Sequence, residues 1–274
     1  GKWHRQVSFL SADIVDEFNE KGASVIEGDF GENVLVYGID FKKLPVGTKL
    51  ICNDVKFEVT QIGKECHSHC EIYKRVGDCI MPREGIFAKV LEGGMIKVGD
   101  KIKVIYPDKD MPYQAAVITL SDKGSRGERV DTSGPKASEI LREHGFEIIE
   151  EILLPDEMAQ IKKELIRLSD SRQVDLIITT GGTGLSPRDC TPEATLAVAD
   201  RNVPGIAEAI RAGSMTITKR AMLSRGVSVI RKKTLIINLP GSKKAVEEGL
   251  SFIIDQLPHG LDTLRGNTQD CGRN

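Results

Sequence analysis

The sequence lacks three features that would assign it to a specialised class: long apolar runs, an excess of one charge, and many cysteines. No stretch of its 274 residues approaches the ~20 apolar residues that cross a bilayer. Lys plus Arg (38) nearly balance Asp plus Glu (40), a net charge of -2 that argues against a general nucleic-acid binder. The length predicts about two domains.

The first residues, GKWHRQVSFL, have neither the apolar core nor the cleavage site of a signal peptide. They also lack an initiator Met, which is expected of a processed or truncated chain. We therefore predict a cytoplasmic protein with no nucleic-acid or membrane partner.

The six cysteines are too sparse for a disulfide scaffold, but four of them fall within 28 residues. The segment KECHSHCEIYKRVGDC (64–79) brings Cys66, Cys70 and Cys79 close to two histidines. Three interpretations stay open: a zinc site, small buried apolar side chains, or a thiolate activated by basic neighbours. The spacing is not that of a zinc ribbon and a second cysteine pair is absent, so we do not expect zinc.

The N-terminal and C-terminal halves have different patterns. Residues 1–106 carry short apolar runs separated by Gly, Pro and Asp, which predicts a β-rich, barrel-like domain with one helix over 11–22. The segment PDKDMPYQ (107–114) has two prolines and no apolar periodicity, and we predict a linker there.

From residue 115 to 274, apolar runs alternate with amphipathic helical patterns. Strands are predicted over AAVITL, EIIEEILL, VDLIITTGG and SVIRKKTLIINL, with helices between them, among others over 156–170 and 244–257. This order is typical of an α/β domain with a doubly wound, mostly parallel sheet.

Four polar segments follow the predicted strands of this second half. They cover residues 121–134, 155–157, 179–193 and 238–242. In open α/β sheets, ligands bind outside the carboxyl ends of the strands, so these loops are expected to form one site.

Within these loops, TTGGTG offers backbone N–H groups that suit an anion, although it could also be a simple tight turn. Asp156 and Asp189 could share one divalent cation, because carboxylates at two strand ends can converge. The alternative for Asp156 is a helix N-cap. Thr191 could likewise cap a helix, with Glu193 in its first turn.

The segments ITLSD, LPDE, TTGGTG…RDCTPEAT and AMLSRGVSVIRKKTLIINLPGS resemble those of the molybdopterin adenylyltransferase family. The resemblance spans about residues 114–266 and implies transfer of AMP from ATP to the terminal phosphate of molybdopterin. It implies that Asp156 and Asp189 are the two essential aspartates, and we hypothesise that they hold Mg²⁺ beside the ATP phosphates. It also implies homo-oligomers, with a trimer favoured. The substrate-binding candidates are Ser121, Asp122, Thr180, Gly181, Gly182, Thr183, Gly184, Thr191, Glu193, Pro240, Gly241 and Ser242.

The segments WHRQVSFL, EGDFGENVLVYGIDFKKLPVGTKL, QIGKEC and GDCIMPREGIFAKVLEGGMIKVGD resemble a MOSC domain, the C-terminal module of molybdenum cofactor sulfurases. This resemblance implies cofactor binding or sulfur transfer on a cysteine, and it places Cys66 at that position. Both halves thus predict a protein of molybdenum cofactor biosynthesis, with a molybdenum insertion protein as a further partner. The alternative is a molybdopterin carrier without catalysis.

Overall fold

The computed structural model describes residues 3–64, 70–108 and 110–267. These form two compact units, one of residues 3–108 with 171–173 and the other of residues 110–170 with 174–267, apart from the gaps just given. In the part of the chain that the structure describes, no helix is both long and apolar enough to cross a membrane.

The N-terminal unit is built on one six-stranded sheet. Its elements are β1 (Val7–Ser11), α1 (Ala12–Glu20), β2 (Val34–Val36), β3 (Lys49–Cys52), β4 (Val55–Ile62), α2 (Glu71–Val76), α3 (Met81–Glu84), β5 (Ile86–Glu92) and β6 (Lys103–Ile105). The strand order is β2-β1-β5-β4-β3-β6, and all pairs are antiparallel except β1 with β2. Among the described strands, β2 and β6 do not pair with each other. The sheet is therefore a curled half-barrel, an open form of the barrel-like domain that the strand spacing predicted.

Strand β1 shows how this sheet buries both of its faces. Phe9 packs on one face against the rings of Phe41 and Phe57, while Leu10 packs on the other face beside Phe18 of α1. Both β1 residues are fully buried. The two-residue period of a strand thus divides its side chains between two apolar clusters.

The C-terminal unit alternates strands and helices. Its elements are β7 (Gln114–Leu120), α4 (Asp122–Ser125), α5 (Ser133–Glu143), β8 (Glu147–Leu154), α6 (Met158–Ile166), β9 (Leu176–Thr180), α7 (Thr191–Leu196), β10 (Arg201–Asn202), α8 (Pro204–Met215), β11 (Ser228–Arg231), β12 (Thr234–Leu239), α9 (Lys243–Ser251) and α10 (Leu257–Arg265). The strand order is β10-β11-β12-β9-β7-β8. Strands β8, β7, β9 and β12 pair in parallel, whereas β11 and β10 are antiparallel, so this is a mixed sheet in an α/β unit.

Helices cover both faces of this sheet. Val117 and Ile178 contribute to an apolar cluster with residues of α5, α8, α9 and α10, while Ile118 and Ile177 contribute to a second cluster with α6 and α7. Because four neighbouring strands run in parallel, their carboxyl ends lie at one edge of the sheet. The loops after β7, β8, β9 and β12 meet there.

Two predicted helices differ from those observed. The pattern over 244–257 forms an α-helix only as far as Ser251, the end of α9, and a 3-10 turn follows at Ile254–Gln256. A new helix, α10, begins at Leu257 with Pro258 in its first turn, the position that proline favours. The pattern over 156–170 yields α6 only from Met158, followed by a π turn at Arg167–Ser171. The residue before α6 is Glu157, so the interpretation of Asp156 as the N-cap is wrong.

Candidate active site

A cleft of 690 Å³ lies at the carboxyl ends of the parallel strands in the C-terminal unit. All four predicted strand-end loops contribute to its lining. The predicted residues that line it are Ser121, Asp122, Asp156, Gly181, Gly182, Thr183, Gly184, Asp189, Pro240 and Gly241. The structure thus brings both candidate aspartates and both glycine-containing loops to one cleft.

The loop that follows β9 depends on glycine at its first two positions. Gly181 and Gly182 have φ angles of +104° and +62°, in the region that L side chains rarely adopt. A Cβ on Gly182 would overlap Thr191 Oγ1 and come within 2.7 Å of Asp156 Oδ1. A Cβ on Gly241 would lie 3.1 Å from the Cα of Gly181. The two glycine-containing loops therefore pack backbone against backbone, beside the carboxylate of Asp156.

Two threonine hydroxyls hold the two glycine-containing loops in place through hydrogen bonds. The Thr180 hydroxyl donates to the carbonyl of Pro240 (2.8 Å), and the Thr191 hydroxyl donates to the carbonyl of Gly181 (2.9 Å). Neither threonine lines the cleft. The alternative that Thr191 caps a helix is wrong, because its hydroxyl is committed to the glycine loop and Cys190 precedes α7.

Arg225 holds the outer part of the glycine loop, and the sequence reasoning missed it. Its guanidinium donates to the carbonyls of Gly184 (2.6 Å) and Asp189 (2.7 Å) and also pairs with Glu193. Glu193 therefore serves as a partner of Arg225 rather than as part of the cleft wall. The only signal in the sequence was a lone arginine just before β11, within the AMLSRGVSV segment.

The carboxylate of Asp156 has one satisfied and one unsatisfied oxygen. Its Oδ2 accepts from the backbone N–H of Asp122 (3.2 Å), and in return its own N–H donates to Asp122 Oδ1 (3.1 Å). Its Oδ1 is buried and has no hydrogen-bond partner among the described residues. Burial raises the pKa of Asp156, and the charges of Asp122 and Asp189 raise it further.

Asp189 reaches the same loop from its far side. Its Oδ2 would lie 2.7 Å from a Cβ on Gly184, and its backbone N–H donates to Ser186 (2.9 Å). Its side chain accepts no hydrogen bond from the residues that the structure describes. Two carboxylates with free oxygens thus flank the glycine loop.

Arg188 pairs with two further carboxylates, those of Asp122 and Glu157. It makes a two-pronged contact with Asp122 (3.0 and 2.9 Å) and a further contact with Glu157 (2.7 Å). The hydrogen bonds from Arg188 lower the pKa of Asp122. Asp122 is consequently held as a carboxylate beside the more buried Asp156.

Other lining residues were not foreseen. Asp131 accepts from the Thr119 hydroxyl (2.6 Å) and from the backbone N–H groups of Ser133 and Gly134, which fastens the start of α5 to β7. Basic side chains also line the cleft, namely Lys123, Arg129, Arg211 and Arg220. They supply positive charge suited to an anionic ligand. Ser242, by contrast, does not line the cleft: its hydroxyl accepts from Ala245 N–H (3.2 Å) and caps α9.

The donor set fits a magnesium ion better than a zinc ion. Nowhere in the described ranges do three or more His, Cys, Asp or Glu side chains form a group placed to hold a metal. Mg²⁺ is commonly held by one or two carboxylates together with substrate phosphates, so a pair of aspartates is sufficient for it. The unsatisfied Oδ1 of Asp156 is an oxygen available to such an ion.

The thiol-rich segment of the N-terminal unit is only partly described. Cys66, the predicted sulfur or cofactor thiol, lies outside the described residues, as do both histidines near it. Cys79 is buried in an apolar cluster, and Cys70 is exposed beside a cavity of 450 Å³ that Asp29, Glu71 and Arg75 also line. The interpretation as a buried apolar side chain thus fits Cys79 and not Cys70.

Comparison with known proteins assigns the part of the chain that forms this cleft to a protein family. Residues 116–259 match the family model described as "Probable molybdopterin binding domain". The chain belongs to that family. Residues 1–103 match the MOSC domain model, so both resemblances read from the sequence motifs are confirmed.

Curated relatives and solved structures of the same family match slightly more than half of this chain. The molybdopterin adenylyltransferase of Helicobacter pylori strain J99 is 40% identical over 153 residues, 55% of this chain and 87% of that protein. The one of Escherichia coli K12 is 44% identical over 142 residues, 51% of this chain and 72% of that protein. The crystal structure of the molybdopterin biosynthesis enzyme MoaB from Thermus thermophilus is 47% identical and has a TM-score of 0.54, covering 56% of this chain and 97% of its own.

Proposed function

We propose that this protein acts in molybdenum cofactor biosynthesis and transfers AMP from ATP to the terminal phosphate of molybdopterin. In this reaction a phosphate oxygen of molybdopterin forms a bond to the α-phosphorus of ATP. The bond from that phosphorus to the bridging oxygen breaks, and pyrophosphate leaves. Two of the relatives named above are called molybdopterin adenylyltransferase, and the predicted strand-end loops of this chain converge on the cleft.

The observation that carries the proposal is the unsatisfied Oδ1 of Asp156 beside the glycine loop. A buried carboxylate oxygen without a partner costs stability, so its retention is best explained by a ligand that occupies the site. Among the described residues, none accepts a hydrogen bond from the N–H groups of Gly182 or Gly184. Free N–H groups and a free carboxylate oxygen together suit a phosphate accompanied by a cation.

The residues of the cleft have separate tasks in this proposal. The N–H groups of Gly182–Gly184 bind and orient an anionic phosphate, while the basic side chains around the cleft favour the highly charged nucleotide. Asp156 and Asp189 would hold Mg²⁺, which when bound supplies neutralisation of the charge on the ATP phosphates. Catalysis of this type needs chiefly positioning and charge balance, which a rigid loop packed between Gly241 and Thr191 provides.

Several finer features belong to the same proposal. We assign the N-terminal MOSC domain, residues 1–106, to handling of the cofactor or of sulfur, with Cys66 as its candidate thiol, and residues 107–114 to a linker. The C-terminal domain would then begin at residue 115. We further propose that the protein is cytoplasmic and homotrimeric, that its C-terminal sheet is doubly wound, and that a molybdenum insertion protein is its partner.

The test is release of pyrophosphate from Mg-ATP in the presence of molybdopterin. We expect turnover by the full chain and a loss on the order of 100-fold or more in Asp189→Ala, because the variant loses charge stabilisation at the reacting phosphates. Asp255→Ala is the matched control, since Asp255 is an exposed carboxylate outside the cleft.

Two results would count against the proposal. If Asp189→Ala retained both its molybdopterin affinity and its turnover, the assignment of the aspartates would be wrong. If the wild-type chain bound molybdopterin but released no pyrophosphate, the carrier alternative would replace the enzyme.

A further inference from the structure

Arg188 connects loops that follow two different strands. Its Nε and Nη2 donate to both oxygens of Asp122, in the loop after β7, at 3.0 and 2.9 Å. Its Nη2 also donates to Glu157, in the loop after β8, at 2.7 Å. Arg188 itself comes from the loop after β9, directly before Asp189. One guanidinium thus joins three of the four loops that build the cleft.

The contact with Asp122 reaches Asp156 through the backbone. Asp122 and Asp156 exchange two hydrogen bonds, each from the backbone N–H of one to the carboxylate of the other (3.2 and 3.1 Å). These bonds engage Asp156 Oδ2 and leave Oδ1 beside Gly182. The orientation of the Asp156 carboxylate therefore depends on where Asp122 is held, and Arg188 holds Asp122.

We infer that Arg188 is a positioning residue for the proposed adenylyl transfer: acting through Asp122, it keeps the Asp156 carboxylate turned so that Oδ1 faces the glycine loop. This inference rests on the proposed function. A planar guanidinium suits the role because its fork matches both carboxylate oxygens, which the single ammonium of a lysine cannot do.

The exposure of the pair separates positioning from stability. The Arg188 side chain is 54% exposed, and its partners Glu157 and Asp122 are 50% and 27% exposed. Ion pairs as exposed as these contribute little to the free energy of unfolding. Loss of Arg188 is therefore expected to reduce turnover while leaving the melting temperature nearly unchanged.

The experiment is a double-mutant cycle on the full chain with Arg188→Gln, Asp122→Ala and the double variant, using molybdopterin and Mg-ATP. We expect kcat of Arg188→Gln to fall about 10- to 100-fold, because small misplacements of a reacting group have effects of this size. KM for each substrate should change much less than kcat, because the N–H groups of the glycine loop and the other basic lining residues keep their places. The double variant should be no slower than Asp122→Ala, and Arg188→Lys should recover only part of kcat.

Arg126→Gln is the matched control. Arg126 belongs to the loop that contains Asp122, is 58% exposed and pairs with Glu128 at 2.7 Å, outside the cleft lining. We expect its kcat to equal that of the wild type. Equal losses in this control and in Arg188→Gln would overturn the inference, as would additive losses in the cycle or an effect on KM alone.

A crystal structure of Arg188→Gln provides a measurement that does not depend on turnover. We expect the 3.2 Å contact between Asp122 N and Asp156 Oδ2 to be lost in it. If the wild type shows no turnover, the proposed function is wrong and this contact alone decides the positioning role. Its survival in Arg188→Gln would overturn that role.

Discussion

Gly182 provides the sharpest test of the way the cleft is built. A Cβ at this position would overlap the Thr191 hydroxyl and approach Asp156 Oδ1 to 2.7 Å, at a φ of +62°. Gly182→Ala therefore carries two penalties: a left-handed backbone conformation and a collision. The collision falls on the two side chains that fasten and flank the glycine loop.

The magnitudes follow from those two penalties. The backbone conformation costs about 1 kcal/mol for a residue other than glycine. The collision adds about 2 kcal/mol, typical of one extra carbon in a packed site. The free energy of unfolding should thus fall by about 3 kcal/mol. Because relief requires Thr191 or Asp156 to move, turnover should fall on the order of 100-fold.

Gly145→Ala separates the two penalties. Gly145 also has a positive φ, +83°, but nothing lies within 4 Å of the position of its Cβ. We expect this control to lose only about 1 kcal/mol and to keep full turnover. Urea unfolding and pyrophosphate release measure both variants. Equal destabilisation of the two, with turnover intact in Gly182→Ala, would refute the packing described here.

Three further predictions concern the rest of the chain. Burial, and then the neighbouring Asp262, raise the pKa of Tyr113 to about 12. The stability that the neutral phenol contributes is therefore present below pH 10 and lost as the pH rises towards 12. In a titration followed by tyrosinate absorbance, the ionisation step near pH 12 should disappear in Tyr113→Phe. Arg265 makes two 2.8 Å contacts with Asp175, and both side chains are largely buried. Arg265→Met should therefore lower the free energy of unfolding, measured in urea, by about 3 kcal/mol. An unchanged midpoint of urea unfolding would contradict a stabilising pair. The paired guanidinium of Arg83 lowers the pKa of Asp78 to about 2. The Asp78 carboxylate therefore stabilises the fold above about pH 4, and this stabilisation is lost as the pH falls to 2. A carboxyl NMR titration should show the pKa of Asp78 returning towards 3.8 in Arg83→Gln.

The architecture of the C-terminal unit could be predicted because its central strands are buried on both faces. Such strands form apolar runs, as VDLIITTGG does over the fully buried β9. The predicted strand EIIEEILL matches the edge strand β8 in both bounds, although β8 is only partly buried. The location of the cleft followed from one rule, that ligands bind at the carboxyl ends of parallel strands. The division between α9 and α10 could also have been predicted, since Pro258 marks a helix start.

The contacts that shape the site could not be predicted in the same way. Arg225 reaches Gly184 across 41 residues of sequence and Asp189 across 36, and no local pattern records such a pairing. The same limitation applies to the closure of the N-terminal sheet. Strand spacing indicates how many strands there are, but closure depends on whether the edge strands β2 and β6 meet.

The distribution of charge explains why a chain with a net charge of -2 can still suit a phosphorylated ligand. The overall balance governs long-range association, whereas binding in a cleft depends on the groups that line it. There, arginines either satisfy carboxylates, as Arg188 does for Asp122, or hold backbone carbonyls, as Arg225 does. The one buried carboxylate oxygen of the cleft that the described residues leave unsatisfied is Oδ1 of Asp156, beside the free N–H groups of the glycine loop. The fold thus satisfies the polar groups around the loop and leaves unsatisfied those that a phosphate and its cation would engage.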